Sequence, residues 1–478
     1  MSKKKILLLS DDLRLPSGVG TVSKHIVLGS VDKFDWVQLG AAVKHPDQGK
    51  VFDLSEDAQK QTGVKDASVK VYPWSGYGDE NILRRLLDDE KPDAILHFTD
   101  PRQWIWLYNM EHEIRQNIPI FFYHIWDDLP DPLYNRNYYE SCDWIGCISK
   151  QTYGITKRVW GSTEQSQWNQ PKDTQVDYVP HGIDTNVYYP ITEGDKHYDM
   201  MLETKKQMFN GKDPKYVLFY NARNIRRKMT SDIIISFRDF LLDIPKEERN
   251  DCYLVLHTTP VDGNGTDLPR VVRDLLPEYK DNIIFSSDKI SQEQINCLYN
   301  IADTTILISS NEGFGLSTAE SISAGTPIIV NVTGGMQDHC GFQWNVAPSN
   351  MNEQFEYITA EDYVEIGSLH DWREWQGKVT WGEWASPVWP QTRSLVGSPP
   401  TPYIYDDRVD NYDVTDTIKE HYDLGREERK RRGLVGREWL MNEGGLNAEN
   451  MCNIFKESMT REIENFEPRK RFSLYKID

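Results

Sequence analysis

Apolar positions along this chain follow two rhythms. Short continuous runs such as Ile6-Leu7-Leu8-Leu9 mark strands covered on both faces, while charged stretches such as 80–90 repeat at helical spacing. Lys4–Ser10 reads as a first strand, Pro16-Ser17-Gly18-Val19-Gly20 as a loop, and the stretch from Thr21 to Leu28 as a helix. Further buried strands are predicted at Asp35–Leu39, Ala94–Phe98, Ile118–Tyr123 and Trp144–Ile148. Strands alternating with helices imply a mostly parallel sheet with right-handed crossovers.

The rhythm restarts after the polar stretch 191–214. A strand at Tyr216–Tyr220, a basic loop and a helix at 229–242 come first. Strands at 252–257, 282–286, 304–308 and 326–331 follow, with helices at 291–301 and 316–324 between them. The expected class is therefore α/β, with two Rossmann-like domains facing a central cleft, where ligands of such folds bind. The expected division is 1–195, 196–450, and a terminal helix with a basic tail, 451–478, packing back on the first domain. Residues 341–400 interrupt the pattern with six of the 15 Trp and with Pro387, Pro390, Pro399 and Pro400, and read as an insertion in the second domain. Regularity is expected to return at Pro402-Tyr403-Ile404-Tyr405.

Composition narrows the class of protein. With 38% hydrophobic and 27% charged residues the chain is a folded one, and its net charge of −20 argues against a whole-surface attraction to nucleic acid. No apolar run is long enough to span a bilayer, and six scattered Cys without a C-x-x-C pair suit reduced thiols, so a cytoplasmic location is expected.

Four constellations carry chemistry. Asn311-Glu312-Gly313-Phe314-Gly315-Leu316-Ser317-Thr318-Ala319-Glu320 lies between a strand and a helix. Its glycines admit close backbone approach, the helix start can face an anion, and the two carboxylates stand about two helical turns apart, suited to neighbouring hydroxyls. Alternatively, this is a glycine turn with two solvated Glu. The loop Asn221–Lys228 carries Arg223, Arg226, Arg227 and Lys228, a set suited to a diphosphate or else an exposed basic turn. Because the chain contains no D-x-D triplet, metal-independent chemistry with no bound cofactor is expected, the cations taking the neutralising role. Gly18 and Gly20 in the first loop can cradle phosphate, although the dinucleotide G-x-G-x-x-G is incomplete. His124, ending Tyr123-His124-Ile125-Trp126-Asp127-Asp128, is a candidate to bond a sugar hydroxyl or move a proton, or is satisfied locally; Asp100 is a weaker candidate nearby.

In this order the four pieces resemble the family-4 retaining glycosyltransferases of the GT-B fold, over roughly 5–340 and 402–466. The resemblance implies an E-G-F-G-x-x-x-x-E signature in Glu312, Gly313, Phe314, Gly315 and Glu320, with Leu316 beside it. Glu320 would hold the ribose and Glu312 the transferred sugar. It also implies a diphosphate clamp in Arg223 and Lys228, donor-loop glycines in Gly18 and Gly20, a cleft histidine in His124, a hinge at Val179–Asp184 and a Gly-Gly turn at Thr333–Asp338. The catalytic set implied is Glu312, His124, Arg223 and Lys228. The implied co-substrate is a nucleotide-diphosphate sugar, UDP-linked, whose sugar passes to a hydroxyl with retention.

The insertion departs from that family. Its aromatic rings either stack on an acceptor, making Trp372, Trp375, Trp381 and Trp384 acceptor-side candidates with Asp100 and Asp127, or form a small core of their own. Residues 109–115 and 126–132 also resemble glycosyltransferases of large tailed bacteriophages. That adds a narrower alternative: transfer of glucose or arabinose to 5-hydroxymethylcytosine in DNA, in a host cytoplasm. Arg426, Arg429–Arg432 and 469–471 would then contact phosphates. A carbohydrate-binding protein without turnover is the third reading.

Overall fold

The computed structural model describes residues 3–162, 172–345 and 356–469. The first half forms an eight-stranded sheet. Its strands are β1 (Lys4–Asp11), β2 (Phe34–Ala42), β3 (Phe52–Asp53), β4 (Val69–Ser75), β5 (Ala94–Phe98), β6 (Ile120–His124), β7 (Trp144–Cys147) and β8 (Val176–Tyr178), in the order β3-β4-β2-β1-β5-β6-β7-β8. Only β3 runs antiparallel. Ile6 to Leu9 and Ala94 to Phe98 are fully buried because helices cover both faces, which is why these strands read as unbroken apolar runs.

The second half repeats the plan with six parallel strands. These are β9 (Tyr216–Asn221), β10 (Cys252–His257), β11 (Ile283–Ser286), β12 (Thr304–Leu307) and β13 (Ile328–Asn331), then, beyond a short two-stranded pair of β14 (Gln343–Trp344) and β15 (Val379–Thr380), β16 (Ala385–Val388). The order is β11-β10-β9-β12-β13-β16. This is the GT-B architecture, two Rossmann-like sheets whose strand carboxyl ends face one cleft.

The Trp-rich stretch differs from its expected outline. Ala385-Ser386-Pro387-Val388 is the sixth strand of the parallel sheet, paired with Ile328–Asn331. Its proline obscured it in the sequence, and its position at the edge of the sheet tolerates proline. The excursion from the sheet is therefore shorter than 341–400. Pro402–Tyr405 belongs to a separate antiparallel hairpin of β17 (Thr392–Ser398) and β18 (Thr401–Arg408). Asp407 fixes its root: the Asp407 amide donates to the Ser310 carbonyl at 3.0 Å, and Thr333 and Arg393 donate to its carboxylate, each at 2.8 Å.

The helix Ala448–Glu464 crosses back to the first sheet, where Phe455 meets Tyr123 and Trp144 edge-on at 4.8 and 5.7 Å. Among the described residues, no helix is long and apolar enough to cross a membrane.

Candidate functional site

Loops at the carboxyl ends of both sheets enclose a cleft of about 2030 Å³. From the first sheet comes the loop between β1 and the helix Gly18–Leu28. Ser17 caps that helix, accepting from the Gly20 amide at 3.0 Å and donating to Asp11 at 3.0 Å. Gly18 lines the cleft. Gly20 lies behind it, where a Cβ would stand 2.6 Å from the Leu15 carbonyl, so this glycine shapes the loop from within.

Opposite stands the loop after β12. Gly315 has φ +91°, which glycine adopts freely, and this turn launches the helix Leu316–Ser323. Gly313, Phe314, Gly315 and Leu316 all border the cleft. Phe314 is buried edge-on against His181 and His339. Leu316 approaches Gly18, so the two glycine loops meet across the opening.

The basic loop after β9 is fastened by Asn224, whose side-chain amide donates to the carbonyls of Thr259, Pro260 and Thr266. All four of its cations reach the cleft, but not in the expected roles. Lys228 and Arg227 both donate to Glu312 Oε2, Arg227 at 3.0 Å, and Arg227 also donates to the Asn311 carbonyl at 2.7 Å. Arg223 pairs instead with Asp262, Nε to Oδ2 at 2.9 Å, with its side chain 62% exposed. The partner of Lys228 at Glu312 is thus Arg227. The basic run was visible in the sequence, but which arginine turns inward depends on the short helical turn Arg226–Lys228.

The two glutamates have opposite electrostatics. Burial pushes Glu312 upward, yet Lys228 and Arg227 outweigh it and hold its pKa at about 2. Burial lifts Glu320 to about 7, against a 2.7 Å hydrogen bond from the Tyr299 hydroxyl.

His124 borders the cleft but faces inward. Its Nδ1 is 3.0 Å from the Thr156 hydroxyl, its Nε2 is 3.2 Å from the Tyr139 hydroxyl, and burial takes its pKa to about 3. With both nitrogens engaged it is a neutral packing group, which corrects its expected proton-handling role. His181, which also lines the cleft, stands 2.7 Å by Nδ1 from the Tyr123 hydroxyl.

Asp100 and Asp127 do lie on the wall of the first sheet. Asp100 is committed to Arg102, accepting from its Nε at 2.7 Å and from Nη2. Asp128, beside Asp127, is held well above the carboxylate range, first by burial and then by its neighbour's charge.

The tryptophans belong elsewhere. Trp372, Trp375, Trp381 and Trp384 do not line the cleft, contrary to the acceptor-side expectation. Trp372, Trp381 and Trp389 pack as a cluster, Trp375 meets Trp344, and Trp384 stacks on Trp439 at 4.7 Å. Removing large aromatic surface from water drives such clusters. The hairpin instead supplies cleft residues that the sequence reading missed: Val396, Thr401, Ile404, Asp406 and Arg408. Two alternating runs broken by Pro399-Pro400 were the available signal.

The basic segments near the end of the chain are largely neutralised. Arg429 is buried on Asp303, Arg431 and Arg432 pair with Glu428, and Arg426 pairs with Asp213. Arg469 pairs with Glu111; Lys470 and Arg471 lie outside the described residues.

Residues 203–341, which contain the basic loop and both glutamates, match the family of glycosyl transferases group 1. Mannosylfructose-phosphate synthase of Agrobacterium fabrum is 23% identical over 200 residues, covering 41% of this chain and 39% of that one. D-inositol 3-phosphate glycosyltransferase of Streptosporangium roseum is 25% identical over 164 residues, covering 34% and 35%. The match thus spans well under half the length of these curated relatives.

Solved structures align over nearly the whole fold. Sucrose-phosphate synthase from Thermosynechococcus elongatus gives a TM-score of 0.63 at 14% identity, covering 97% of this chain and 100% of that one. Anabaena HepE in complex with UDP and glucose gives 0.57 at 10%, covering 96% and 100%. A UDP-forming α,α-trehalose-phosphate synthase from Burkholderia vietnamiensis gives 0.58 at 11%, covering 97% and 99%. The chain has a GT-B fold. The segment 203–341 of its second half is similar to the group 1 glycosyl transferases.

Proposed function

We propose that this protein is a retaining glycosyltransferase that moves a sugar from a UDP-sugar to an acceptor hydroxyl without a metal ion. The observation that carries the reading is the convergence of Lys228 and Arg227 on Glu312, at the mouth of the E-G-F-G turn and opposite the Gly18 loop. Cations in excess of the carboxylates beside them suit a diphosphate. The loop can thereby supply the charge that a divalent ion supplies elsewhere. UDP as the nucleotide is supported by the neighbours bound to UDP or named UDP-forming.

In the reaction the bond from the anomeric carbon to the β-phosphate oxygen breaks, and a bond to the acceptor oxygen forms on the same face. The acceptor proton passes to the departing diphosphate, leaving UDP and the glycoside. Arg226, Arg227 and Lys228 stabilise the charge that grows on the leaving group. Glu312, anionic throughout and already engaged by two cations, accepts sugar hydroxyls and positions the ring rather than attacking it. Glu320 takes the ribose hydroxyls. Transfer to hydroxymethylcytosine in DNA gains no support from the described basic segments, whose cations are mostly paired.

A thermal-shift panel of nucleotide sugars tests the donor, since a ligand at a hundred times its Kd adds about 2.7 kcal/mol. UDP-glucose or another UDP-sugar is expected to stabilise the protein and to release UDP slowly, and Glu312→Gln and Lys228→Ala should abolish the release. A panel without a hit, or release indifferent to both variants, overturns the reading and leaves a carbohydrate-binding protein.

A further inference from the structure

The cleft has a second wall, opposite the basic loop, formed by the first sheet and the β17–β18 hairpin. Tyr405 donates its amide to the Leu129 carbonyl at 2.7 Å, and the Tyr134 hydroxyl donates to the Tyr403 carbonyl at 2.9 Å, so the hairpin of the second half is tied to the first. This wall holds arginines as the donor side does, but each has a carboxylate of its own. Arg14 forks onto Asp12, Nε to Oδ1 at 3.0 Å and Nη2 to Oδ2 at 2.7 Å. Arg102 forks onto Asp100, and Arg408 Nε donates to Asp406 at 3.0 Å. Asp11 also lines the cleft, accepting from Ser17, while Asp127 and Asp128 lie near Arg227 of the basic loop, and burial raises both. Lys24, on the helix Gly18–Leu28, makes no ion pair among the described residues.

The donor loop is built the other way. Its four cations make ion pairs with two carboxylates, Glu312 and Asp262, and burial raises the nearby Asp127 and Asp128, which leaves charge for a diphosphate. On the second wall the guanidinium forks are filled. An acceptor bearing a phosphate would have to displace a carboxylate from its arginine. A neutral polyol meets the opposite situation, because its hydroxyls donate and these carboxylates accept.

Resting on the reading of the cleft as a UDP-sugar transferase site, we infer that its acceptor is an uncharged polyhydroxyl sugar or glycan, and that the Asp100–Arg102 and Asp406–Arg408 pairs exclude phosphorylated acceptors. Asp100 and Asp406 are thus specificity residues that act by occupying arginines.

The test offers matched acceptors, glucose with glucose 6-phosphate and myo-inositol with its 3-phosphate, plus hydroxymethylated duplex DNA, together with the stabilising UDP-sugar. The uncharged member of each pair is expected to be used at least about tenfold better in kcat/KM, with no transfer to DNA. Asp100→Asn, which can still cap the turn after residue 100, should free Arg102 and raise the relative use of the phosphorylated partner about tenfold; Asp406→Asn should act in the same direction. Titration of glucose 6-phosphate into the UDP-loaded protein gives a second readout independent of turnover: the wild type should show no saturable uptake, and Asp100→Asn should gain it. Preference for a phosphorylated acceptor, transfer to DNA, saturable uptake of glucose 6-phosphate by the wild type, or an Asp100→Asn ratio equal to the wild-type one each overturns the inference. UDP binding is read in the same titrations, so failure of the donor assignment shows as absent UDP uptake and is distinct from these outcomes.

Discussion

The two walls of the cleft contain the same number of cationic side chains and do opposite things with them. Arg223, Arg226, Arg227 and Lys228 on the basic-loop side pair with two carboxylates, whereas Arg14, Arg102 and Arg408 on the other side, Lys24 apart, each pair with an adjacent carboxylate of their own. A phosphate site is therefore not announced by arginines. It is announced by arginines left over once neighbouring carboxylates have been satisfied, since a filled guanidinium fork has no geometry to offer a second anion.

The contrast can be broken most forcefully at Lys228. Lys228→Ala removes one of the two cations on Glu312 and should lower kcat for transfer by roughly 10²–10³-fold, the scale of a lost transition-state donor. A fall below about tenfold, measured with saturating donor, would move the leaving diphosphate away from this loop. Next in size, Glu320→Gln should weaken UDP-sugar binding about tenfold at pH 8, where the carboxylate is charged, by replacing an anionic acceptor of ribose hydroxyls.

That variant also carries a pH signature. Burial raises Glu320 from an ordinary 4.5 to about 7, so between those values the folded protein holds a proton that the unfolded chain has released. Its contribution to stability is present below about pH 4.5 and is lost as pH climbs through 7. Melting scans of the unliganded protein should show Glu320→Gln matching the wild type near pH 4 and exceeding it by a few degrees at pH 8. Equal curves at both ends would show that the carboxyl is not held in its buried setting.

Smaller effects sharpen the role of the hairpin. Tyr403 accepts from the Leu133 amide at 3.2 Å and donates to the Asp131 carbonyl at 3.3 Å. Tyr403→Phe should cost about 1 kcal/mol of that tie and raise acceptor KM roughly fivefold, with donor affinity unchanged. A change in donor affinity instead would assign the hairpin to the other wall. Smallest of all, Trp381→Ala should leave kcat and both KM values at wild-type levels, because the ring is 37% exposed and lies outside the cleft. Any shift in acceptor KM would restore the tryptophans to the site.

Much of the fold was legible because it rests on local pattern. Fully buried parallel strands must be apolar along their whole length, so Lys4–Ser10, Ala94–Phe98 and Tyr216–Tyr220 stood out. Glycine loops between strand and helix marked where ligands approach. β16 was hidden by Pro387, and the β17–β18 hairpin was absorbed into the tryptophan-rich stretch, because an edge strand and an exposed hairpin need no continuous apolar run. Aromatic abundance likewise suggested ligand stacking where the rings in fact satisfy one another.

Spacing along the chain by itself determined the two α/β halves, the E-G-F-G turn with its two glutamates, and the basic loop opposite. Tertiary structure alone decided which of these groups meet. It turned Arg227 rather than Arg223 toward Glu312, closed both nitrogens of His124 into the core, and brought a hairpin some 270 residues distant in sequence against Leu129. The physical reason is that periodicity records what must be buried, whereas the charge state of a site depends on pairings between residues far apart in the chain, and these exist only once the two sheets have been packed face to face.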